Sequence, residues 1–115
     1  MKIKVKRVYD AAAQGDGTRV LVDRLWPRGL AKDKAHIDAW VKAISPSTEL
    51  RKWYNHDHDK WPEFKARYFQ ELKANENLIA EFLADYKDKQ VTLLFSSKEA
   101  RFNNAAALKE YLESR

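Results

Sequence analysis

Near its end the chain carries Val91 to Phe95, an almost unbroken apolar run reading Val-Thr-Leu-Leu-Phe, and no other stretch restricts the fold as tightly. A strand that is apolar at successive positions must be covered on both faces, as it is inside a parallel sheet. Elsewhere the strand signals are half-sided. Residues 2–8 alternate, with Ile3 and Val5 on one face and Lys2, Lys4 and Lys6 on the other, which predicts a strand whose lysines face solvent and guard a sheet edge. Residues 18–24 predict a second, valine-rich strand. Between them, Tyr9 to Gly17 reads as a loop or a single helical turn, because Gly15-Asp16-Gly17 is turn chemistry.

The middle of the chain has helical spacing. Trp61, Phe64, Tyr68 and Leu72 recur every three or four residues and predict a helix over 61–75, and Leu78, Ile79, Phe82, Leu83 and Tyr86 predict another after a break at 75–77. Ser47 and Thr48 can cap a short helix running to Tyr54, and residues 103–112 predict a last one. Residues 37–44 fit two descriptions, since Ile37, Val41 and Ile44 suit a helical turn while Ile37, Ala39, Val41 and Ala43 suit a strand; the strand is preferred. Residues 25–35 are irregular, punctuated by Pro27 and Gly29. The order of elements predicts a single small α/β domain over residues 1–115, a mostly parallel short sheet flanked by helices in two or three layers.

Composition narrows the function classes. At 115 residues, 44% hydrophobic and 34% charged, the chain suits one soluble domain. It has no run near the ~20 apolar residues of a membrane span, and Met1 leads straight into Lys-Ile-Lys-Val-Lys, so a cytoplasmic address without a membrane partner is expected. The absence of cysteine fits that address and excludes disulfides, thiolate zinc sites and cysteine nucleophiles. Walker and Gly-x-Gly-x-x-Gly phosphate loops are missing too, and no cofactor is expected. The net charge of +5 lies in the first third: residues 1–34 hold nine Lys or Arg against four Asp or Glu, and the remainder is balanced. Such a zone attracts anions, nucleic acid among them.

Within that basic third lies Val22-Asp23-Arg24-Leu25-Trp26-Pro27-Arg28-Gly29-Leu30, directly after a strand. Arginine offers a planar fork of donors suited to phosphate or carboxylate, and stiff Trp and Pro can hold it in place. Arg24 and Arg28 therefore read as an anion clamp, with Gly29 letting backbone amides approach; the alternative is that one of them pairs internally with Asp23, Asp38 or Asp57. Of four tryptophans, Trp26 is expected at the site, while Trp53 and Trp61 read as core. Ser96-Ser97-Lys98 also follows a strand, so Ser96 and Lys98 join the expected anion ligands. Parallel strands would bring both loops to one sheet end, where ligands of open α/β sheets bind.

In Asn55-His56-Asp57-His58-Asp59, His56 oriented by Asp57 is the candidate proton carrier, because imidazole titrates near neutrality. A metal bound by His56 and His58, with His36, lacks recognisable ligand spacing, and no metal site is expected. Glu71 shares a helix face with Phe64 and Tyr68, which suggests a buried partner for an arginine.

Residues 22–29, with Trp40, Pro46-Ser47, Leu50-Arg51, Trp53, His56-Asp57, Trp61, Phe64, Tyr68 and Glu71-Leu72, resemble the YeaO-like branch of the bacterial domain of unknown function 488 family over nearly the whole chain. The resemblance implies a compact cytoplasmic α/β domain and brings no established activity. It also singles out a departure, since the family pattern has Asn-His-Ala where this chain has Asn103-Asn104-Ala105.

The leading expectation is a domain that binds a phosphorylated or nucleotide-type ligand at the strand ends. Arg24, Arg28 and Arg51 would hold the anion, Trp26 would wall the pocket, and His56 with Asp57 would move a proton if there is a reaction. The alternatives are a nucleic-acid-binding module and a non-catalytic interaction protein whose Arg/His/Asp network is structural.

Overall fold

A computed structural model describes residues 1–115. Four strands, β1 (Lys2–Arg7), β2 (Thr18–Leu21), β3 (Ala39–Trp40) and β4 (Gln90–Phe95), form one sheet in the order β1-β4-β2-β3, and every neighbouring pair is parallel. Five helices accompany them: α1 (Lys32–Ala35), α2 (Thr48–Tyr54), α3 (Trp61–Ala74), α4 (Glu76–Asp85) and α5 (Asn104–Glu113). No helix is long and apolar enough to cross a membrane.

The apolar run of β4 occupies the middle of the sheet, paired with β1 through Lys2↔Gln90 to Arg7↔Phe95 and with β2 through Thr18↔Val91 to Leu21↔Leu94. Residues 91–95 are all buried. Because side chains alternate along a strand, Val91, Leu93 and Phe95 face one way with Val20 and Val22, into a core completed by Leu50, Phe64, Tyr68, Leu72, Ile79, Phe82 and Leu108 from the helices. Leu94 faces the other way with Leu21 and Val8, under Trp26, Leu30, Ile37 and Trp40. The helices α2 to α5 thus cover one face, and the segment between β2 and β3 covers the other. This is a two-layer sheet closed by a loop.

The loop-covered face also holds a polar tie. Asp16 accepts Arg19 Nη1 at 2.6 Å and Lys6 Nζ at 3.1 Å, and Arg19 and Asp16 are both buried. Lys4 donates to the Gly15 carbonyl and Lys6 to that of Ala11, so these two lysines of the β1 edge fasten the β1–β2 connection besides meeting water.

Three expectations are corrected. The second strand stops at Leu21, short of Arg24, where the Asp23 side chain turns to Ser96 and that of Arg24 to the Pro46 carbonyl. Residues 37–44 contribute only the two-residue β3, followed by a 3₁₀ turn at 42–44, where Ile44 is drawn into the core. Residues 32–35, expected to be irregular, form the single turn α1, closed by His36 in the left-handed conformation (φ 51°).

Candidate functional site

The loops after β2 and β4 converge, since these strands are parallel neighbours. Between them and the start of α2 opens a cleft of about 320 Å³. Arg24, Trp26, Arg28, Arg51, His56 and Ser96 all line it. The other three residues singled out from the sequence sit elsewhere. Gly29 supplies a left-handed turn (φ 75°) after Arg28, a backbone region that glycine enters without penalty. Lys98 lines a second cavity, and the Asp57 carboxylate accepts the Asp59 N–H at 3.0 Å, capping the turn 58–60. No hydrogen bond joins Asp57 to His56.

The cleft floor is held by one carboxylate. Asp23 Oδ2 accepts both the Ser96 N–H at 2.9 Å and the Ser96 hydroxyl at 2.6 Å, while Oδ1 accepts Asn104 Nδ2 at 3.1 Å. The same Asn104 amide reaches the Val22 carbonyl at 2.9 Å, and Trp40 Nε1 donates to the Asp23 carbonyl at 2.7 Å. With its proton committed to Asp23, the Ser96 hydroxyl presents only lone pairs to the cleft.

The three arginines divide into two kinds. Arg24 donates Nε to the Pro46 carbonyl at 3.0 Å and Nη2 to that of Ser45 at 3.3 Å, so it fastens the loop after β2 to the segment before α2. No carboxylate pairs with it, contrary to the internal ion pair considered above. Arg28 and Arg51 are exposed, line the cleft, and make neither a side-chain hydrogen bond nor an ion pair with the protein. Arg28 is set by its backbone, whose carbonyl accepts the Tyr9 hydroxyl at 2.7 Å, and Arg51 by the middle of α2. Trp26 is fixed edge-on to Trp40, with ring centroids 5.4 Å apart, and donates Nε1 to the Leu30 carbonyl at 2.7 Å. It pins the loop that carries both Arg24 and Arg28.

His56 reaches the cleft through two successive left-handed residues, Asn55 (φ 45°) and His56 (φ 57°), where the chain leaves α2. Non-glycine residues in this region are strained, and the pair persists because α2 and the following turn fix both ends. Tyr54, beside it, donates its hydroxyl to the Phe102 carbonyl at 2.9 Å. Burial, then the charges of Glu99 and Asp57, push its hydroxyl up to about 12, so it remains a donor. His58 Nε2 meets Glu99 Oε2 at 2.5 Å, joining the loop after α2 to the loop after β4. The Arg101 N–H is the main influence holding the Glu99 carboxyl below its usual range, with His58 adding to it.

Glu71 accepts the Ser47 N–H at 2.9 Å and hydroxyl at 2.6 Å rather than an arginine. Ser47 in turn caps α2 by accepting the Leu50 N–H at 3.1 Å. Glu71 thus sets the start of the helix that carries Arg51. Sequence reasoning passed over Tyr54, Phe64 and Phe102 as cleft residues, and it noticed Asn104 only as a departure from a pattern. Tyr54 and Phe64 lie within α2 and α3, and Phe102 and Asn104 stand just before and at the start of α5, so nothing local in the sequence marks them as sharing one cleft.

A family described as the inactive DUF488-N3 subclade matches residues 2–115. The chain is 46% identical over 115 residues to the uncharacterized protein YeaO of Escherichia coli (strain K12), covering 99% of each chain. Uncharacterized proteins of Mycobacterium bovis and Mycobacterium tuberculosis are 38% identical over 114 residues, covering 99% of this chain and 96% of theirs. No solved structure matches it significantly.

Proposed function

Because the chain belongs to the inactive DUF488-N3 subclade, whose function is unknown, we propose from its cleft that it binds a small anionic ligand, phosphorylated or nucleotide-type, at the strand ends without transforming it. One observation carries the reading: Arg28 and Arg51, from separate segments, face one cleft with their guanidinium donors unspent. Paired forks of this kind suit a phosphate, and each charge-assisted bond to it contributes about 1.5–3 kcal/mol. Ser96, with lone pairs outward, suits a donor group on the ligand such as a sugar hydroxyl. Leu25, 57% exposed at the cleft, together with Phe102, offers an apolar surface to the uncharged part.

Binding without reaction is favoured because the expected proton carrier lacks its support. His56 has no carboxylate to fix its tautomer, and the Ser96 hydroxyl has no imidazole to activate it. The description of the subclade as inactive agrees with this. A purely structural network accounts for Asp23, Arg24, Ser96 and Asn104, whose bonds are internal, yet leaves Arg28 and Arg51 unused.

The test is a thermal-shift and calorimetric screen of inorganic phosphate, mononucleotides, sugar phosphates and dicarboxylates on the wild type, Arg28→Ala and Arg51→Ala. A phosphorylated compound should stabilise the wild type, and each arginine variant should lose at least about tenfold in affinity. Equal shifts in all three proteins, or none from any phosphate, would remove the assignment.

A further inference from the structure

A second cavity, about 440 Å³ and more open, lies beyond the ends of β1 and β4 against the first half of α5. Its floor is apolar, from Val5, Phe95 and Ala106, while its rim carries Lys6, Arg7, Lys98 and Lys109 against one carboxylate, Asp10. Lys6 is paired with Asp16, and Arg7 donates Nε to the Ser97 carbonyl at 3.0 Å with its guanidinium over the Tyr9 ring. Lys98 and Lys109 make no bond to the protein.

The two cavities share a wall. Ser96 and Ser97 line the first, Lys98 lines the second, and Arg7 from the second is bonded to the Ser97 carbonyl between them. Unpartnered cations therefore stand on both sides of a ridge only a few residues wide, with aromatic and apolar surface inside each hollow. A single phosphate needs only the first set. A chain of phosphates spaced along a flexible backbone would use both, and bases attached to it would find the apolar floors.

Resting on the anion-binding reading of the first cleft, we propose that the natural ligand is a single-stranded oligonucleotide, one nucleotide held in the first cleft and flanking phosphates lying in the groove of Lys98 and Lys109. The groove extends the site along the backbone and is indifferent to base identity, because lysines and an apolar floor read charge and ring surface rather than base edges.

The experiment compares thymidine 5′-monophosphate with a fluorescent hexathymidylate on the wild type and on the double variant Lys98→Ala with Lys109→Ala, across a salt series. The hexamer should bind the wild type at least about tenfold more tightly than the monophosphate. The double variant should lose that advantage, keep its monophosphate affinity within about twofold, and show a salt slope shallower by roughly 1.4, as two lost phosphate contacts require. Monophosphate binding with no gain from the hexamer would overturn the groove and leave the first cleft intact. Hexamer binding that depends on both lysines, with no monophosphate bound, would support the groove and sink the small-ligand reading. Retention of the hexamer's advantage in the double variant, or equal binding of a hexaglutamate peptide, would overturn the proposal.

Discussion

Asp23 holds Ser96 through one carboxylate oxygen, 2.9 Å from its N–H and 2.6 Å from its hydroxyl, so the first residue after β4 is clamped to the loop after β2. Losing the carboxylate strands three donors at once, those of Ser96 and the Asn104 amide. Asp23→Ala should cost about 3 kcal/mol in urea denaturation, whereas Ser96→Ala should cost about 1 kcal/mol because Asp23 keeps other donors. Near-equal costs would show that the carboxylate is not the keystone of the cleft floor.

Arg24 and Arg28 are four residues apart and should behave as opposites. Arg24→Ala removes two bonds to the Ser45 and Pro46 carbonyls and should destabilise the fold by about 2 kcal/mol. Arg28→Ala and Arg51→Ala, which break no protein bond, should stay within about 0.5 kcal/mol of the wild type. Thermal denaturation of the three single variants measures the difference.

Acid sensitivity should trace to Asp16. Burial pushes its carboxyl up, but the Ala13 N–H, Arg19 and Lys6 outweigh that and hold it at about 2, below the 3.8 of a free aspartate. A folded-state value below the unfolded one means stability that is fully present above about pH 4 and lost as pH falls towards 2. Urea midpoints followed from pH 6 to pH 2 should decline over that window, and Asp16→Asn should be less stable at pH 6 with a flatter acid limb. An unchanged acid limb in the variant would move the responsibility to another carboxylate.

Glu71 and Ser47 should be coupled. Either Glu71→Ala or Ser47→Ala should cost about 1–2 kcal/mol, since the first leaves the Ser47 donors unmet and the second uncaps α2. Their double variant should fall short of the summed costs by about 1 kcal/mol, because both changes remove the same contact. Simple additivity would mean that the two residues act independently.

What the chain discloses unaided follows the reach of each interaction. Residues 91–95 announce a strand covered on both faces because burial there depends on five neighbouring side chains, and α2 is announced by its own cap. The chain is less legible where a residue's surroundings come from far along it. Glu71 was matched to an arginine by chemistry, yet its partner 24 residues away is a serine. Lys98 was grouped with Ser96 by adjacency, but the loop after β4 divides them between two cavities. Asn104 stands out only against the Asn-His-Ala pattern of its family, while its bond to Asp23 crosses 81 residues. The candidate arginines were recognisable because their surroundings, Trp and Pro, are local.

The position of β4 sets an order of events for the chain as it is made. β1 and β2 never pair with each other; apart from the two-residue contact of β2 with β3, both pair with β4, which lies about 70 to 90 residues further along. Such distant pairings are slow to close, since much chain must be ordered before any bond repays it. Until residues 90–95 arrive, the N-terminal strands wait as separate lysine- and valine-rich segments, and the Asp23 carboxylate has no Ser96 to hold. Truncation just before β4 should therefore yield a chain with neither sheet nor cleft, and a rescuing peptide would have to supply the middle of the sheet rather than an edge.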